Sequence, residues 1–475
     1  MKLSPLQVLS TEEIAEIHEA TLDILATCGV KILNAKMLDI LAEHGLEVDT
    51  NAGVARFSRA CIEDALSHVP AQFEMFDREG RFAFVLGDGV PKIAAGHNAV
   101  FWVDSDSGER RNSTVADLEQ FARICERLPH IDMIGIPAMP QDVPDARASL
   151  LYGVKACVEN SVKPIFFSTD NAPVNRAVID MLEAVFPGRF ASQAYGISQL
   201  SPTSPLFWEA GVLDAVMDTV ARDVPLAILP EPNAGVSAPY TLAGLLAMNN
   251  AECLSGLAMA QLLKPGARVM YANSWTTTDM RQGYALVGSV ETTLCEIAGA
   301  QLARFYRVPS HTTAPNSDNH AHDEQNAWEK TLGTFCAVAA GNDLLVNCGM
   351  FATGMTCSHE QLVMDEEISA MSRRLAAGIE VNEATIAKDL IAEIGPQGTG
   401  YLTALHTLER LRSDEYFVPR LAVRGPYSLW QAQGGKDTYQ VARDAVRELG
   451  AEPGAPLDDA QRERLEEILS AFRAA

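Results

Sequence analysis

The sequence lacks both an excess of positive charge and a cysteine framework. It contains 37 lysines and arginines against 62 aspartates and glutamates, which gives a formal net charge of −25. Such a chain has no basic surface of the kind that nucleic acids and anionic membranes attract. The nine cysteines are scattered without a CxxC pair, so we expect neither a disulfide framework nor a cysteine-ligated zinc site.

Long apolar segments and common catalytic signatures are also missing. The N-terminal residues turn polar before an apolar stretch of signal-peptide length develops. The apolar run 332–356 is interrupted by Gly341, Asn342, Asp343 and Asn347, which a membrane span would resist. No GxSxG motif is present, and no GxGxxG follows the first predicted strand. These absences favour a cytoplasmic enzyme that is neither a serine hydrolase nor a dinucleotide-binding protein.

What the sequence does contain is a regular alternation of buried-type strands and helices. Strands are predicted within 92–103 and at 132–139, 163–169, 191–198, 225–231, 268–275, 309–316 and 343–350. Helices are predicted at 10–27, 34–46, 115–128, 147–159, 175–186, 207–222, 241–263, 287–305, 324–340 and 359–376. Eight strand–helix units predict an α/β fold, a (β/α)8 TIM barrel whose parallel strands are buried on both faces.

The flanking regions divide the chain into three parts. We expect an N-terminal α/β extension over residues 1–90, the barrel over 91–378, and a helical tail over 379–475 that packs on the barrel. In the tail, one apolar face is expected at helical spacing, formed by Leu465, Ile468, Leu469 and Phe472.

Chemistry in such a barrel gathers at the carboxyl ends of the strands, and here those ends carry aromatic, amide and hydroxyl side chains. Rings around a mildly acidic cavity suit an organic cation, and burial in the core is the alternative interpretation of each ring. Arg281 is interpreted as a carboxylate clamp or as a surface ion pair. The residues selected as substrate-binding are Tyr195, Glu231, Trp275, Arg281, Asn316, His322, Asn347 and Phe351.

A metal site is the competing interpretation of the segment "PNSDNHAHDE" (315–324). His320 and His322 are spaced so that both rings can lie on one side of an extended segment, and His311 could supply a third ligand. Such a site would serve a metal-dependent hydrolase or lyase. A hydrogen-bonding loop at the barrel rim is the interpretation we favour, with no tightly bound metal.

Several strings resemble the trimethylamine methyltransferase (MttB-like) superfamily over about residues 10 to 440. They include "SPLFWEAGVLDAV", "APYTLAGLLAMNNAECLSGLAMAQLLKPGARVMYANS", "TTDMRQG" and "EIGPQGTGYLTALHTLERL". The family is known for TIM barrels that pass a methyl group from a methylated amine to Co(I) of a separate corrinoid protein. Only standard residues occur in this chain, which is similar to the non-pyrrolysine branch that demethylates glycine betaine and related quaternary amines.

The resemblance implies a corrinoid protein as partner and a corrinoid as the methyl-accepting cofactor. Asp279, two residues before Arg281, matches the family stretch and is expected to be catalytic together with His320. Alternatives on the same fold are a tetrahydrofolate acceptor or a silent barrel that only binds a betaine. A second copy of the chain is included among the expected partners, as in a homo-oligomer. We also expect Trp275→Ala to weaken substrate binding more than folding.

Overall fold

The computed structural model describes residues 5–397 and 400–475, and its centre is a closed barrel of eight parallel strands. Neighbouring strands follow chain order, and the first pairs with the eighth. The barrel strands are β1 Lys92–Ala95, β2 Met133–Gly135, β3 Ile165–Ser168, β4 Gly196–Leu200, β5 Leu226–Ile228, β6 Val269–Asn273, β7 Ser310–Thr313 and β8 Leu344–Cys348. The predicted (β/α)8 barrel is therefore confirmed.

One helix follows each barrel strand, as the periodicity predicted. These helices are α1 Val115–Glu126, α2 Ser149–Asn160, α3 Ala172–Val185, α4 Ala210–Ala221, α5 Leu242–Leu263, α6 Val290–Tyr306, α7 Glu324–Ala340 and α8 His359–Ala377. A short 3-10 helix, Ala146–Ala148, precedes α2. Side-chain caps fix most of the starts: the Thr114 hydroxyl accepts the backbone N–H of Asp117 at α1, and the Asp323 carboxylate accepts two N–H groups at α7.

The predicted start of the helix 207–222 was wrong by three residues. Phe207–Trp208 instead form a short strand that pairs in parallel with Val30–Ile32, with Lys31 opposite Phe207. The same sheet contains Glu47–Asp49 and Val54–Arg56. Long-range pairing with the N-terminal region satisfies these backbone groups, so α4 begins only at Ala210.

The N-terminal region covers one side and one end of the barrel. Its helices are Thr11–Thr27, Ala35–Glu43 and Arg59–His68, and the first and third pack on α5. The hairpin Phe73–Phe76/Phe82–Leu86 lies against the amino-terminal ends of the strands, where Phe73, Met75 and Leu86 join the apolar barrel interior. This end of the barrel is closed, and the carboxyl ends of the strands form the mouth.

Two hairpins and a helical tail complete the described structure. Phe101–Val103 and Arg110–Asn112 pair with each other and, through Thr356–Cys357, with Met350–Phe351 at the rim of the mouth. Thr277–Asp279 and Tyr284–Leu286 form a second hairpin there. The helices of the tail are Glu383–Ile386, Lys388–Ile394, the 3-10 turn Gly395–Gln397, Leu405–Arg410, Tyr427–Ala432, Thr438–Ala451 and Asp459–Ala474.

The last helix, Asp459–Ala474, packs on α3 with the face that its sequence predicted. Leu465 and Leu469 are buried, and Ile468 and Phe472 are partly buried against the same core. Two residues of the "GPQGTG" string, Gly398 and Thr399, lie outside the described residues. None of the helices in the described part of the chain is long and apolar enough to cross a membrane.

Candidate active site

The mouth of the barrel is organised around His97, which follows β1. Gly96 positions it: the backbone there has a φ of +82°, and a Cβ atom would lie 2.6 Å from the Cα of Pro137. Only glycine tolerates both the left-handed conformation and this close approach of β1 to the segment after β2. The half-buried imidazole of His97 therefore reaches the mouth because its neighbour has no side chain.

A hydrogen-bond chain fixes the His97 ring. Its Nδ1 lies 3.1 Å from Oδ1 of Asn347, and its Nε2 lies 2.9 Å from Nε2 of Gln199. The amide of Gln199 donates to Nε2, so the ring proton sits on Nδ1 and is donated to Asn347. Burial lowers the pKa of His97 to about 4. At neutral pH the mouth thus presents an oriented, neutral imidazole.

Asn347 and Asn316 are brought together by the ends of β7 and β8. Asn347 donates to the side-chain oxygen of Asn316 at 2.9 Å, and Asn316 donates to the backbone oxygen of Thr313. Asn347 adopts a φ of +91°, which is unfavourable for a residue with a Cβ atom. Backbone strain of this kind persists where surrounding contacts over-determine it, and it concentrates at functional sites.

His311 lies beneath this network, inside the barrel. It is fully buried, stacks on Phe166 at a centroid distance of 5.2 Å, and both of its ring nitrogens lack a partner among the described residues. Burial, with a smaller contribution from the nearby His97, lowers the pKa of His311 to about 3. In the folded chain His311 is therefore a neutral ring packed below the floor of the mouth.

This depressed pKa makes His311 a source of acid sensitivity. Between its ordinary pKa of 6.5 and about 3, the unfolded chain binds a proton that the folded chain does not. The stability that the neutral ring contributes is therefore complete above pH 6.5 and is lost as the pH falls. In His311→Phe the slope of unfolding free energy against pH between 6.5 and 4.5 should fall by up to about 1.4 kcal/mol per pH unit.

Denaturant unfolding at several pH values measures this slope. Trp328→Phe, at an exposed position that does not titrate, provides the control and should leave the slope unchanged. An identical slope in His311→Phe and the unmodified protein would show that the buried ring does not titrate in this way.

Glu231 supplies a carboxylate at the mouth, three residues after the end of β5. It is exposed to solvent, and its carboxylate has no hydrogen bond or ion pair with any described residue. Even so, desolvation by the surrounding protein raises the pKa of Glu231. Solvent exposure and a raised pKa occur together for a group on the wall of a concave site, where water reaches the carboxylate while protein surrounds it.

Three of the aromatic residues selected from the sequence lie in the core. Tyr195 precedes β4 and stacks on Phe186, and Trp275 and Phe351 are each 1% exposed. The indole of Trp275 donates to Oδ1 of Asn273 at 2.6 Å. The expectation that these rings line the cavity is therefore not met, because their faces are covered by packing behind the strand ends.

The predicted catalytic residues and the arginine lie at the periphery. The carboxylate of half-buried Asp279 accepts the backbone N–H of Arg281 at 2.9 Å, which orders the turn of the hairpin 277–286. Arg281 is exposed, and so is His320. His322 stacks on Tyr439 at 4.8 Å and shares a hydrogen bond of 3.0 Å with Ser358. Of the residues selected from the sequence, Asn316 and Asn347 contact each other beside His97, and the ring of His322 lies 4.7 Å from that of Phe351.

The three histidines of the metal interpretation do not converge. His311 is inside the barrel, His320 is exposed, and His322 packs among rim aromatics with a pKa that burial lowers to about 4. In residues 5–397 and 400–475, no group of three or more His, Cys, Asp or Glu side chains is placed to hold a metal ion. The alternative of a metal-dependent hydrolase or lyase is therefore not supported by the positions of its three proposed histidine ligands.

A buried ion pair supports the mouth from behind. Nζ of Lys330, on α7, lies 2.8 Å from Oδ2 of Asp365, on α8, and both side chains are fully buried. Lys330 also donates to the backbone oxygen of Pro315, and Asp365 accepts the N–H of Gly349 at 2.7 Å. These backbone groups adjoin Asn316 and lie two residues from Asn347, so the pair ties both strand ends together.

Sequence reasoning missed His97, Gln199 and Lys330. A signal existed for His97, because "GHN" follows the first strand and the rule applied to strands four to eight also covers it. Gln199 was within the predicted tip of the fourth strand but has no distinctive motif. Lys330 carried no signal, since a lysine on a helix is normally solvent-exposed.

Comparison with known proteins adds independent information. Residues 1–473 match the family model described as trimethylamine methyltransferase (MTTB). The chain is 30% identical over 461 residues to the trimethylamine methyltransferase MttB of Methanosarcina barkeri (strain Fusaro), covering 94% of this chain and 90% of that protein. It is 29% identical over 429 residues to the glycine betaine methyltransferase of Desulfitobacterium hafniense (strain Y51), covering 89% and 88%.

Among solved structures, the monomethylamine methyltransferase MtmB of Methanosarcina barkeri matches with a TM-score of 0.49 and 14% identity. The match covers 96% of this chain and 92% of that one. At that TM-score, the fold assignment rests on the closed barrel of this chain itself.

Proposed function

The chain belongs to the trimethylamine methyltransferase (MTTB) family and is a methyltransferase, and from this premise we propose that it demethylates a quaternary amine. The substrate class is glycine betaine or a related betaine, and the methyl acceptor is a corrinoid carried by a separate protein. The family assignment confirms the resemblance found in the sequence. The glycine betaine methyltransferase among its relatives supports the choice of substrate class.

The observation that carries the proposal is the protonation state of the mouth. His97 and His311 are neutral at physiological pH, and the hydrogen-bond chain of His97 is made of uncharged amides. A quaternary ammonium releases a neutral tertiary amine when it loses a methyl group, so no proton has to be delivered. Neutral donors and acceptors suffice to orient such a substrate.

Glu231 fits the cationic group of the substrate. A single carboxylate on a concave wall attracts a quaternary ammonium, and its exposure leaves the site open to a large acceptor. The positive charge disappears as the methyl group leaves, so a stronger anionic clamp would bind the substrate better than the transition state. One carboxylate with a raised pKa attracts the ammonium group and is still not a strong anionic clamp.

The acceptor would supply a cobalt(I) nucleophile for the methyl carbon. Polar side chains at the strand ends, such as Ser168 and Ser274, are only half-buried, so the mouth can be reached from solvent while the opposite end is closed. Among the chain's own residues, Glu231 would attract the ammonium group. His97, Asn316 and Asn347 would orient the polar end of the betaine.

The direct test measures methylcob(III)alamin formation from free cob(I)alamin across a panel of methylated amines. We expect transfer from at least one quaternary amine and little from trimethylamine. Absence of transfer from every quaternary amine would overturn the proposal. Transfer to tetrahydrofolate with none to cobalamin would favour the pterin alternative on the same fold.

Glu231→Gln tests the role of the carboxylate separately. We expect KM for a quaternary amine to rise on the order of tenfold, about 1.4 kcal/mol. The expected kcat is unchanged or higher, because the lost attraction is stronger in the ground state than in the transition state. Glu463→Gln, at an exposed position on the last helix, serves as the control. An unchanged KM in Glu231→Gln would show that Glu231 does not contribute to substrate binding.

A further inference from the structure

A cavity of about 240 Å³ lies outside the barrel, at the same end as the mouth. Its walls are the N-terminal parts of α1 and α8, the hairpin 101–112, and the tail helix Thr438–Ala451, which packs on both barrel helices. We call it the tail cavity. A cavity of ~150 Å³ is enough to bind benzene, so the tail cavity has room for a small organic molecule.

Three of the charged residues around the tail cavity satisfy one another. The guanidinium of Arg111 donates to both oxygens of Asp117, at 2.7 and 2.8 Å, and to Asp104 at 3.2 Å. Asp104 also accepts the backbone N–H groups of Asp106 and Ser107. These three side chains therefore need no further partner.

Two other charged groups at the tail cavity are not satisfied in this way. Glu360 is 0% exposed, and neither of its carboxylate oxygens has a hydrogen-bond partner among the described residues. The Nε of Arg443 is also buried without a partner there, and its guanidinium only approaches Asp106, at 3.7 Å. Burial raises the pKa of Glu360, and the nearby Ser105 and Arg443 oppose this rise only in part. Because a buried charge without a partner is costly, both groups need one that these side chains do not supply.

The partner that suits Glu360 is a positively charged hydrogen-bond donor. Carboxylate oxygens form their strongest hydrogen bonds with the N–H groups of cations. A metal ion does not fit, since no group of three or more His, Cys, Asp or Glu side chains in residues 5–397 and 400–475 is placed to hold one. A quaternary ammonium does not fit either, because it has no N–H. The chemistry therefore selects an ammonium group that keeps at least one N–H.

Arg443 and Arg447 supply positive charge on the wall formed by the tail helix. They are four residues apart, so their side chains share one face of that helix, and both line the cavity. Asp106, which they approach at 3.7 and 3.8 Å, is 90% exposed and therefore interacts with them weakly. A guanidinium binds a carboxylate through two parallel hydrogen bonds. The tail cavity thus offers a carboxylate to an ammonium group and a guanidinium to a carboxylate.

We propose that the tail cavity binds a small zwitterion, an amino acid or an N-methylated amino acid that keeps an N–H group. Its ammonium group donates to Glu360 on α8, and its carboxylate accepts from Arg443 on the tail helix. Such a ligand fastens the tail helix to the barrel. The effect reaches the rim of the mouth, because Tyr439 on the same helix stacks on His322 at 4.8 Å. The tail cavity is therefore a site for an effector, outside the barrel interior.

Isothermal titration calorimetry tests the proposal with glycine, L-alanine, L-serine, L-proline and N,N-dimethylglycine as probes. We expect at least one probe to bind, with a dissociation constant that rises ~10-fold or more in Glu360→Gln and in Arg443→Gln. Glu360→Gln keeps the shape of the side chain, and the side chain of Arg443 is 29% exposed, so both variants should fold normally. Glu448→Gln, at an exposed position on the same helix, is the matched control and should bind the probe as the unmodified protein does.

Two further measurements locate the bound probe. Glu231→Gln alters the mouth and should leave the dissociation constant of the probe unchanged. In the unmodified protein the bound probe should slow hydrogen exchange of the amides in residues 438–451, and in Glu360→Gln it should not.

The proposal is overturned if none of the five probes binds, or if either Glu360→Gln or Arg443→Gln leaves the dissociation constant unchanged. A probe whose binding is lost in Glu231→Gln occupies the mouth, which overturns the proposal as well. None of these measurements uses a corrinoid or methyl transfer, so their outcome is independent of the proposed function.

Discussion

Replacing Lys330 with methionine is expected to lower the free energy of unfolding by about 3–5 kcal/mol, because it leaves the Asp365 carboxylate buried without a counter-ion. Both side chains of this pair have no solvent exposure, so water cannot solvate the remaining charge. Methionine has about the volume of the lysine stem, which limits any contribution from a cavity. Chemical denaturation of the variant and the unmodified protein measures the difference.

Two further variants identify charge as the cause. In Lys330→Met/Asp365→Asn both charges are gone, while the Asn oxygen can still accept the N–H of Gly349, so most of the lost stability should return. Lys436→Met breaks the exposed pair with Asp444 and should cost less than about 1 kcal/mol. If the double variant is as unstable as Lys330→Met, the unpaired charge is not the reason.

The second large effect concerns Trp275, for which the structure reverses the prediction made from the sequence. Trp275→Ala should lower the free energy of unfolding by about 3–5 kcal/mol, because the ring is 1% exposed and its removal leaves a cavity in the core. The variant also removes the N–H that Asn273 accepts at 2.6 Å. Denaturant unfolding and substrate titration of the same preparation separate folding from binding.

Trp328, which is 62% exposed on α7, offers the control of equal size. Trp328→Ala should change the unfolding free energy by no more than about 0.5 kcal/mol. A Trp275→Ala protein of normal stability that has lost affinity for a quaternary amine would contradict the structure and restore the ring to the binding site.

The architecture was predictable because its signals are local. Most barrel strands are apolar runs between two helical patterns, and most barrel helices begin at a capping residue such as Thr114 or Asp323. The helix start predicted at 207 was wrong because Phe207–Trp208 pair with Val30–Ile32, which are far away in the chain. Periodicity does not detect pairing between distant segments.

The position of the site could be predicted from the sequence, but only some of the residues that form it could. The rule that polar residues gather after parallel strands led to Asn316, Asn347 and Glu231, which the structure places at the mouth. It did not determine side-chain direction, so Tyr195, Trp275 and Phe351 were selected although they point into packing. Residues after a strand leave the regular alternation of the strand, and their orientation then depends on neighbouring segments.

By itself, the sequence determined the order of strands and helices, the closed parallel barrel, the family and the end of the barrel at which chemistry takes place. These features follow from local propensity and hydrophobic periodicity, which depend on neighbouring residues and not on distant ones. Only the tertiary structure decided that His97 joins Gln199 and Asn347, that His311 is a buried neutral ring, and that Lys330 pairs with Asp365. The contacts of His97 and of Lys330 join residues that are 35 to 250 positions apart in the chain. Such contacts depend on how whole elements pack, which no local pattern encodes.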